Sequence, residues 1–582
     1  MQASDFFKYP KATTHKHYEA LRAFHLEGMP AAQVAQHFGY TLSSFYSLNR
    51  DFKQQLQQPE PSQGFFVTVP QGRRLKDETG TIERLIIELR KKYLSAPDIK
   101  AILDSLDHSV SESFIYQIIT QAGFARLPRR SQRERTETTT TLKLSAPTSK
   151  LLTYQSETFS TQQTIGLLCL IPYIQRYGID RLIKALAYPE TQTLNRLSSI
   201  LSFVALKLSN VRRYAADDIW CMDRGLGLFA GLNVLPKTAW FSSYSHRVSR
   251  NMNRDFLKAL HTCWQEHDLL SDCVNLDFTT VPYWGDASEL EKNWSTNRNK
   301  SLSSILAVLA ADPDSGIMTY GDASVRHANK NKVVLEFVDF YQTHHTHPLN
   351  YLIFDSKFTT YEQLRRLDEL PNPIKFITIR RRGKSIVEQL NNLPRAAWKT
   401  LRVSAADGKN RTLQVHEQII VLKGYGKNIR QIAITGNGKI KPALLITNDF
   451  ELPLEQIIRK YARRWLVEQE IDEQIQFFHL NRLSSSMVIK VDFDLTMSIL
   501  AHNLYRLLVF DLSGYSHLSA ASLFEKFMCN SGQVSIAAET ITVRMKKKRL
   551  LPALLNAMEP FQNQPIAWMD DRKLHFVADS SS

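Results

Sequence analysis

Two acidic side chains lie where an acid is costly unless something binds it. Asp277 is in the middle of the apolar stretch 273–281, and Asp355 ends the apolar stretch 351–355. Both stretches predict β-strands. A carboxylate in or at the mouth of a buried strand is disfavoured unless it is hydrogen-bonded or binds a cation. Each Asp could instead cap the turn after its strand, so the two acids indicate either ordinary turns or a cation site.

A third acid lies on a predicted helix, residues 461–475, beside an aromatic residue and a cation. At about 100° per residue, Tyr461, Arg464 and Glu468 fall at i, i+3 and i+7 on one stripe. Glu470 points to the opposite side, so only Asp472, one turn further on, could replace Glu468 in a site with Arg464. The simpler interpretation is a solvated amphipathic helix, in which an Arg464–Glu468 pair is worth about 0.2–0.5 kcal/mol.

Taken together, two strand acids and a Tyr-x-x-Arg-x-x-x-Glu helix, with gaps of 78 and 113 residues between the acids, resemble the DDE transposases of bacterial insertion sequences. The similar group has a β-rich insertion between the second Asp and the Glu. The resemblance covers residues 160–550 and includes Gly-Leu-Leu-Cys-Leu-Ile-Pro at 166–172, Asn-Leu-Asp-Phe-Thr at 275–279 and His-Asn-Leu-Tyr-Arg at 502–506. Where that family has a Lys, seven residues beyond the Glu, this chain has Ile475, which leaves the family's terminal-phosphate contact in question.

The resemblance implies that Asp277, Asp355 and Glu468 are catalytic and bind a pair of Mg²⁺ ions, with Mn²⁺ as a substitute. Three converging carboxylates repel one another unless cations lie between them. Tyr461 and Arg464 are then expected to contact DNA. The implied activity is cleavage of the element's end and strand transfer to target DNA, by a homodimer on double-stranded DNA. A DNA-binding regulator, an inactive or domesticated relative and a non-transposing nuclease of the same fold are the alternatives.

Charge and composition agree with a nucleic-acid partner and give no sign of a membrane. The net charge is +16 and the pI about 9.4, with basic clusters at 126–135, 380–384 and 544–549. The amino terminus lacks a signal-peptide pattern, and the longest uncharged apolar stretch is too short to span a bilayer. We therefore expect a cytoplasmic protein, associated with the nucleoid when bound to DNA. Five scattered cysteines without a CxxC pair indicate reduced core thiols.

Two amino-terminal segments have the punctuation of helix-turn-helix modules. Residues 1–58 contain three helical patterns separated by Gly28-Met-Pro30 and Gly39-Tyr40, and residues 75–135 repeat the arrangement. A generic three-helix bundle is the alternative for the first. Short polar or basic side chains that could meet DNA are Ser43, Ser44, Tyr46, Arg129 and Arg130.

The fold class expected for the whole chain is multidomain α/β. After the two modules we expect a linker (136–160), a helical region (161–270), an RNase H-like mixed α/β core in two parts (271–370 and 455–512), a β-rich insertion between them (371–454) and a small α+β region (513–582). Within the insertion, a basic cluster and an aromatic residue could contact DNA, namely Arg380, Arg381, Arg382, Lys384 and Trp398. The alternative for Trp398, and the more common role for such a residue, is to pack in the core of the insertion. The cluster 344–347, with three His residues, predicts a polar loop rather than a metal site.

Overall fold

The computed structural model describes residues 3–57, 80–91, 94–106, 108–124, 148–211, 219–282, 290–295, 300–342, 348–355, 359–404, 410–436, 442–480 and 488–580. The chain divides into two units, Met1–Glu83 and Arg84–Ser582. Arg129, Arg130 and the histidine cluster 344–347 lie outside the described residues.

The first unit is helical; its last three helices lie where the sequence predicts them, and the first was not predicted. They are α1 (Ala3–Lys8), α2 (Thr13–His25), α3 (Ala31–Phe38) and α4 (Leu42–Leu56). Gly39 ends α3 in the left-handed conformation (φ 67°), which glycine adopts without strain. Small side chains of α2 and α3 pack around Phe45 of α4. A three-helix core with a tight turn before its third helix is the result.

The second unit begins with another helical trio, also at the predicted positions. It consists of α5 (Thr81–Lys91), whose first residues belong to the preceding unit, α6 (Ala96–Ser105) and α7 (Glu112–Gln121). Ser95 and Asp98 form a capping box at the start of α6, and Ser111 caps α7. Asp98 Oδ1 also lies 3.4 Å from His246 Nδ1. This contact ties α6 to the helical region that follows.

The helical region supplies the larger of the hydrophobic cores. Its helices are α8 (Ile171–Arg176), α9 (Ile179–Ala185), α10 (Arg196–Leu208), α11 (Arg224–Phe229), α12 (Thr238–Ser245) and α13 (Arg250–Glu266). They pack around α19 (Val488–Asp511), a helix that is apolar over most of its surface and therefore buried. Lys207 of α10 donates to Asp494 of α19 at 2.7 Å. The helical region is thus packed against α19 and shares its hydrophobic core.

A ten-stranded mixed sheet runs through the second unit. Its strands are β2 (Cys273–Pro282), β3 (Lys292–Ser295), β4 (Lys300–Ala311), β5 (Met318–Val325), β6 (Tyr351–Phe354), β7 (Lys375–Ile379), β8 (Lys399–Ser404), β9 (Asn410–Val421), β10 (Asn428–Thr435) and β11 (Ala443–Thr447). The order is β3-β4-β2-β6-β7-β11-β10-β9-β8, with β5 also paired to β4. Strands β2, β6 and β7 are parallel, and helices α14 (Val333–Gln342) and α15 (Tyr361–Asp368) precede β6 and β7.

The segment expected to be an insertion continues this sheet. Strand β11 pairs antiparallel with β7, and β10, β9 and β8 extend the same edge. The sequence did not predict α16 (Lys384–Asn391), β8 or β3. The continuity arises because β7 has two pairing edges, one used by β6 and the other by β11. The second core part then follows as α17 (Leu454–Ala462) and α18 (Arg464–Gln476).

The carboxyl-terminal region forms a second sheet with a strand from far upstream. Strand β1 (Glu157–Thr161) pairs with β12 (Gly532–Ile536), and the sheet continues through β13 (Thr540–Met545), β15 (Arg572–Ala578) and β14 (Pro565–Ile566). Two helices complete the region, α20 (Ala520–Leu523) and α21 (Leu551–Met558). The carboxyl-terminal region is therefore joined to residues 157–161, which precede the central sheet in the chain.

None of the five cysteines, all of which lie in the described ranges, forms a disulfide, and Cys169, Cys221, Cys263 and Cys273 are buried, as predicted. Within the described ranges, no helix is both long enough and apolar enough to cross a membrane.

Candidate active site

Asp277 and Asp355 meet at the same edge of the central sheet. In the parallel pair β2–β6, Leu276 lies opposite Phe354, so the next residues along each strand are the two acids. Neighbouring strands are about 4.8 Å apart. Side chains alternate along a strand, so Asn275 and Asp277 share one face of β2. The two strand acids therefore lie next to each other on adjacent strands.

Helix α18 lies against that face of β2 and is held at its first turn. Asn275 Nδ2 donates to the Arg463 carbonyl oxygen at 3.2 Å. The Arg463 guanidinium in turn donates to the Pro313 carbonyl at 2.6 Å and pairs with Asp314 at 2.6 Å. The predicted single helix 461–475 is interrupted here, since α17 ends at Ala462 and α18 begins at Arg464. Asn275 and Arg463 are positioning residues that the sequence pattern did not single out.

The Arg464 guanidinium joins two of the three acids. Its Nη1 donates to Asp277 Oδ2 at 2.5 Å, and its Nη2 donates to Glu468 Oε1 at 2.6 Å. The side chains of Arg464 and Asp277 are each 14% exposed, whereas that of Glu468 is 44% exposed. The predicted Arg464–Glu468 pair therefore forms, and it belongs to a larger cluster. Glu468 is the member that solvent reaches.

The pKa of Asp277 depends on the charges of the other two acids. Burial raises the pKa of Asp277 to about 6, Arg464 and the Phe278 amide oppose the rise, and the charges of Glu468 and Asp355 add to it. Burial also raises the pKa of Tyr461 to about 12. The Arg464 guanidinium lies 5.5 Å from the centre of the Tyr461 ring. Tyr461, Arg464, Asp277, Asp355 and Glu468 thus form one cluster.

The neighbouring acids of α18 lie elsewhere. Asp472 is exposed, and it is not among the groups that perturb Asp277. Glu470 faces the opposite side, as predicted, where burial raises its pKa well above the ordinary value and Arg506 opposes the rise. Ile475 packs against the core under the central sheet. A Lys at this position would direct its stem into that core, so the apolar residue suits its surroundings.

The His-Asn-Leu-Tyr-Arg phrase of α19 supports the site from below. His502 Nε2 lies 3.0 Å from the Gly316 carbonyl oxygen, and Asn503 bonds both the amide and the carbonyl of Met318. Arg506 donates to the Ser315 carbonyl at 2.9 Å. These bonds hold the turn between β4 and β5, whose residues Pro313 and Asp314 bind Arg463. No physical reason for this phrase was apparent from the sequence alone.

The basic cluster after β7 is divided between internal and exposed roles. Arg380 donates to the buried Gln431, and Arg382 donates to the Pro442 carbonyl at 2.5 Å. Arg381 and Lys384 are exposed. Trp398 is partly buried against the small cluster of Leu390, Ala433 and Leu444, with its ring 5.8 Å from that of His416. Its surroundings are those of a packing aromatic.

On α4 of the first unit, the predicted contacts also divide. Ser43 and Tyr46 are exposed, Tyr46 by 52%. The hydroxyl of Ser44 lies 2.7 Å from that of Thr41, inside the cap of the helix. Ser47 and Arg50, which the sequence analysis did not select, are exposed on the same helix.

The part of the chain that contains this cluster matches a family model. Residues 270–504 match the family model described as "Transposase DDE domain", and the chain thus carries a DDE-type transposase domain. Among solved structures, the chain is similar to a cryo-EM structure of the piggyBac transposase synaptic complex with hairpin DNA. That similarity has 11% sequence identity and a TM-score of 0.34, and it covers 62% of this chain and 79% of the other. No curated protein matches the chain.

The side chains at the site suit a divalent cation in type. Carboxylate oxygens are the ligands that Mg²⁺ and Mn²⁺ prefer. In the part of the chain that the structure describes, no three His, Cys, Asp or Glu side chains are gathered as they would be around a metal ion. Arg464 occupies the space between Asp277 and Glu468 and neutralises both.

Proposed function

We propose that this protein is a transposase that binds the ends of an insertion sequence and catalyses metal-dependent DNA strand cleavage and strand transfer. The observation that carries the proposal is the cluster in which Arg464 joins Asp277 to Glu468 while Asp355 lies beside Asp277. The two strand acids lie next to each other at the carboxyl end of the parallel strand β6, and Glu468 joins them from a distant helix. Active sites in open α/β sheets are usually found near the carboxyl ends of parallel strands.

The order of the central strands supports an RNase H-like core. Strands β5, β4, β2, β6 and β7 lie in that order, with β4 antiparallel to both neighbours and the last three parallel. Helix α18 crosses β2 and delivers Glu468. We propose that β8 to β11, with α16, are the family's insertion, built as an extension of the same sheet.

We propose that Asp277, Asp355 and Glu468 hold Mg²⁺, or Mn²⁺ in its place. A pair of such ions, when bound, activates water or a DNA 3′-hydroxyl and stabilises the leaving oxygen of an in-line displacement. The buried Asp277 fixes one ligand on the rigid sheet. The more exposed Glu468 supplies the other from the helix side, where DNA has access.

DNA contacts outside the acids are proposed on three surfaces. Arg464 and Tyr461 adjoin the acids, and a guanidinium binds phosphate bidentately. Beyond β7, the exposed Arg381 and Lys384 are the better candidates for phosphate contacts, since Arg380 and Arg382 already bond within the protein. Helix α4 presents Ser43 and Tyr46 as a recognition helix, and we propose a homodimer on paired element ends.

The test is cleavage of duplex DNA carrying the element's ends by purified variants. Asp277→Ala, Asp355→Ala and Glu468→Ala are each expected to abolish strand cleavage while folding and end binding remain, because they remove metal ligands and not packing groups. Asp472→Ala, an exposed acid one turn from Glu468, is the matched control and is expected to cleave normally. Normal cleavage by Glu468→Ala with loss in Asp472→Ala would contradict the placement of the third ligand.

The same assay separates the alternatives. A DNA-binding regulator or an inactive relative binds ends but does not cleave with Mg²⁺ or Mn²⁺. A nuclease of the same fold cleaves, but it does not join the cut end to a target plasmid. Joined products from the wild-type protein, absent from all three acid variants, are the result that the proposal requires.

A further inference from the structure

Both carboxylate oxygens of Asp277 are already bonded. Oδ1 accepts from the Phe278 amide at 2.7 Å, and Oδ2 accepts from Arg464 Nη1. The Phe278 amide belongs to the strand itself and does not leave. A cation that binds Oδ2 would therefore share this oxygen with the Arg464 guanidinium, whose positive charge repels it.

Glu468 presents the same competition on the other side of the guanidinium. Its Oε1 accepts from Arg464 Nη2 at 2.6 Å. The two oxygens that a metal would share are thus bridged by two nitrogens of one planar cation. A guanidinium in this position neutralises the acids without binding them in the geometry that a metal requires.

The Arg464 guanidinium could bind a DNA phosphate instead of the acids. It lies at the first turn of α18, next to the break at Arg463 and 5.5 Å from the Tyr461 ring. Because it is mostly buried, it leaves the acids only for another anion, and a DNA phosphate offers the same pair of oxygens.

We infer that Arg464 is a stand-in cation, which holds Asp277 and Glu468 together in the DNA-free protein and must release them before a metal binds. This inference rests on the proposed function, since it concerns the same site. It makes Arg464 a positioning residue that sets metal affinity, and it makes metal loading favourable when a phosphate has taken the guanidinium.

The expected change in metal affinity on replacing Arg464 follows from the two hydrogen bonds that compete with the metal. The metal's apparent affinity is reduced by the fraction of molecules in which the acids are free. Two charge-assisted hydrogen bonds keep that fraction low, so removing them is expected to tighten metal binding about ten- to a hundredfold.

The experiment measures Mn²⁺ binding to the full chain without DNA, by the electron paramagnetic resonance signal of free Mn²⁺. Arg464→Met is expected to bind Mn²⁺ about ten- to a hundredfold more tightly than wild type. Arg464→Lys keeps the charge but cannot bridge two oxygens with two nitrogens, and a gain of several-fold is expected. Arg459→Met, an exposed arginine paired with Glu455 on α17, is the control for lost charge and should bind as wild type.

Two results overturn the inference while leaving the metal site intact. If Arg464→Met and Arg464→Lys both bind Mn²⁺ as wild type does, Arg464 does not compete. If only Arg464→Met gains, charge alone sets the affinity and the bridge does not matter. The Lys variant also decides the question if the Met variant fails to fold, since it retains a cation among the acids.

Failure of the proposed function gives a different pattern. Asp277→Ala is expected to lose the Mn²⁺ site that wild type and the Arg464 variants share. If Asp277→Ala binds Mn²⁺ like wild type, the bound ion lies elsewhere, and both the metal assignment and the role of Arg464 fall.

Discussion

Replacing Gly166 by alanine tests how the carboxyl-terminal region is joined to the core. Gly166 lies in the 3₁₀ helix Ile165–Leu170, which packs on the π-helical turn Phe524–Met528. A Cβ at this position would lie 2.5 Å from the Met528 carbonyl oxygen, 2.6 Å from the Met528 Cα and 2.7 Å from the Phe527 carbonyl oxygen. All three are backbone atoms, so no rotamer change relieves the contact.

The cost is expected at the upper end of the range for overpacking, about 3 kcal/mol, because two backbone segments must separate. In the second unit, which runs from Arg84 to Ser582, that corresponds to a fall of about 3 °C in the thermal midpoint. Gly383→Ala is the matched control. Gly383 has a φ of −77° and nothing near its would-be Cβ. Alanine is a poorer N-cap for α16 than glycine but lowers the entropy of the unfolded chain, so stability is expected to stay within about 1 kcal/mol of wild type.

Thermal unfolding of the full chain, followed by circular dichroism, measures both variants. Gly166→Ala should melt below wild type, and Gly383→Ala should melt close to it. Equal midpoints for Gly166→Ala and wild type would refute the close approach of residues 165–170 to 524–528, and with it the view that the carboxyl-terminal region is built into the core.

Three further predictions concern charge, end binding and the insertion. Burial and the neighbouring Asp322 raise the pKa of Asp492 above its unfolded value, so the native state binds the extra proton and stability falls as pH rises through neutrality. Asp492→Asn should reduce the fall in stability between about pH 4 and pH 7, by about 1.4 kcal/mol for each unit by which the native state raises the pKa of Asp492. Thermal midpoints measured across this range check it, and an unchanged pH slope would count against it. Residues 1–135 alone should bind the element's end, with affinity falling steeply as salt rises; end binding that survives their deletion would move recognition elsewhere. Trp398→Leu should cost about 1 kcal/mol and leave excision unchanged, because Trp398 packs against Leu390 and Ala433; normal nicking with impaired later steps would instead indicate base stacking.

Local patterns in the sequence were enough to find most elements and the strand acids. The apolar runs around Asp277 and Asp355 are strands, and Ser95 and Ser111 cap helices within the predicted second module. Such features depend on neighbours within a few residues, which the sequence displays directly. The family resemblance, and not spacing, selected Glu468.

Pairings between distant segments could not be read in the same way. Nothing near Ala443 indicates that β11 joins β7 and so extends the central sheet. The bridge from Arg464 to Asp277 spans 187 residues, and the helical pattern around Arg464 predicted only the local pair with Glu468. The break at Arg463 was also missed, because its cause is the bond from Asn275 on a distant strand. Contacts between residues far apart in the chain determine the sheet extension, the Arg464–Asp277 bond and the helix break, and the local periodicity of the sequence does not indicate such contacts.

The pairing of β1 with β12 also bears on how the protein is made. Thr161 and Gly532, partners in that pairing, are about 370 residues apart in the chain. At about 5–20 residues per second, roughly 20–75 seconds separate their synthesis. Throughout that interval the ribosome carries a chain whose amino-terminal unit is complete, while the second sheet still lacks the strands that pair with β1. A nascent chain that ends before residue 532 leaves β1 without its partner, so the second sheet can form only after the amino-terminal helices have been made.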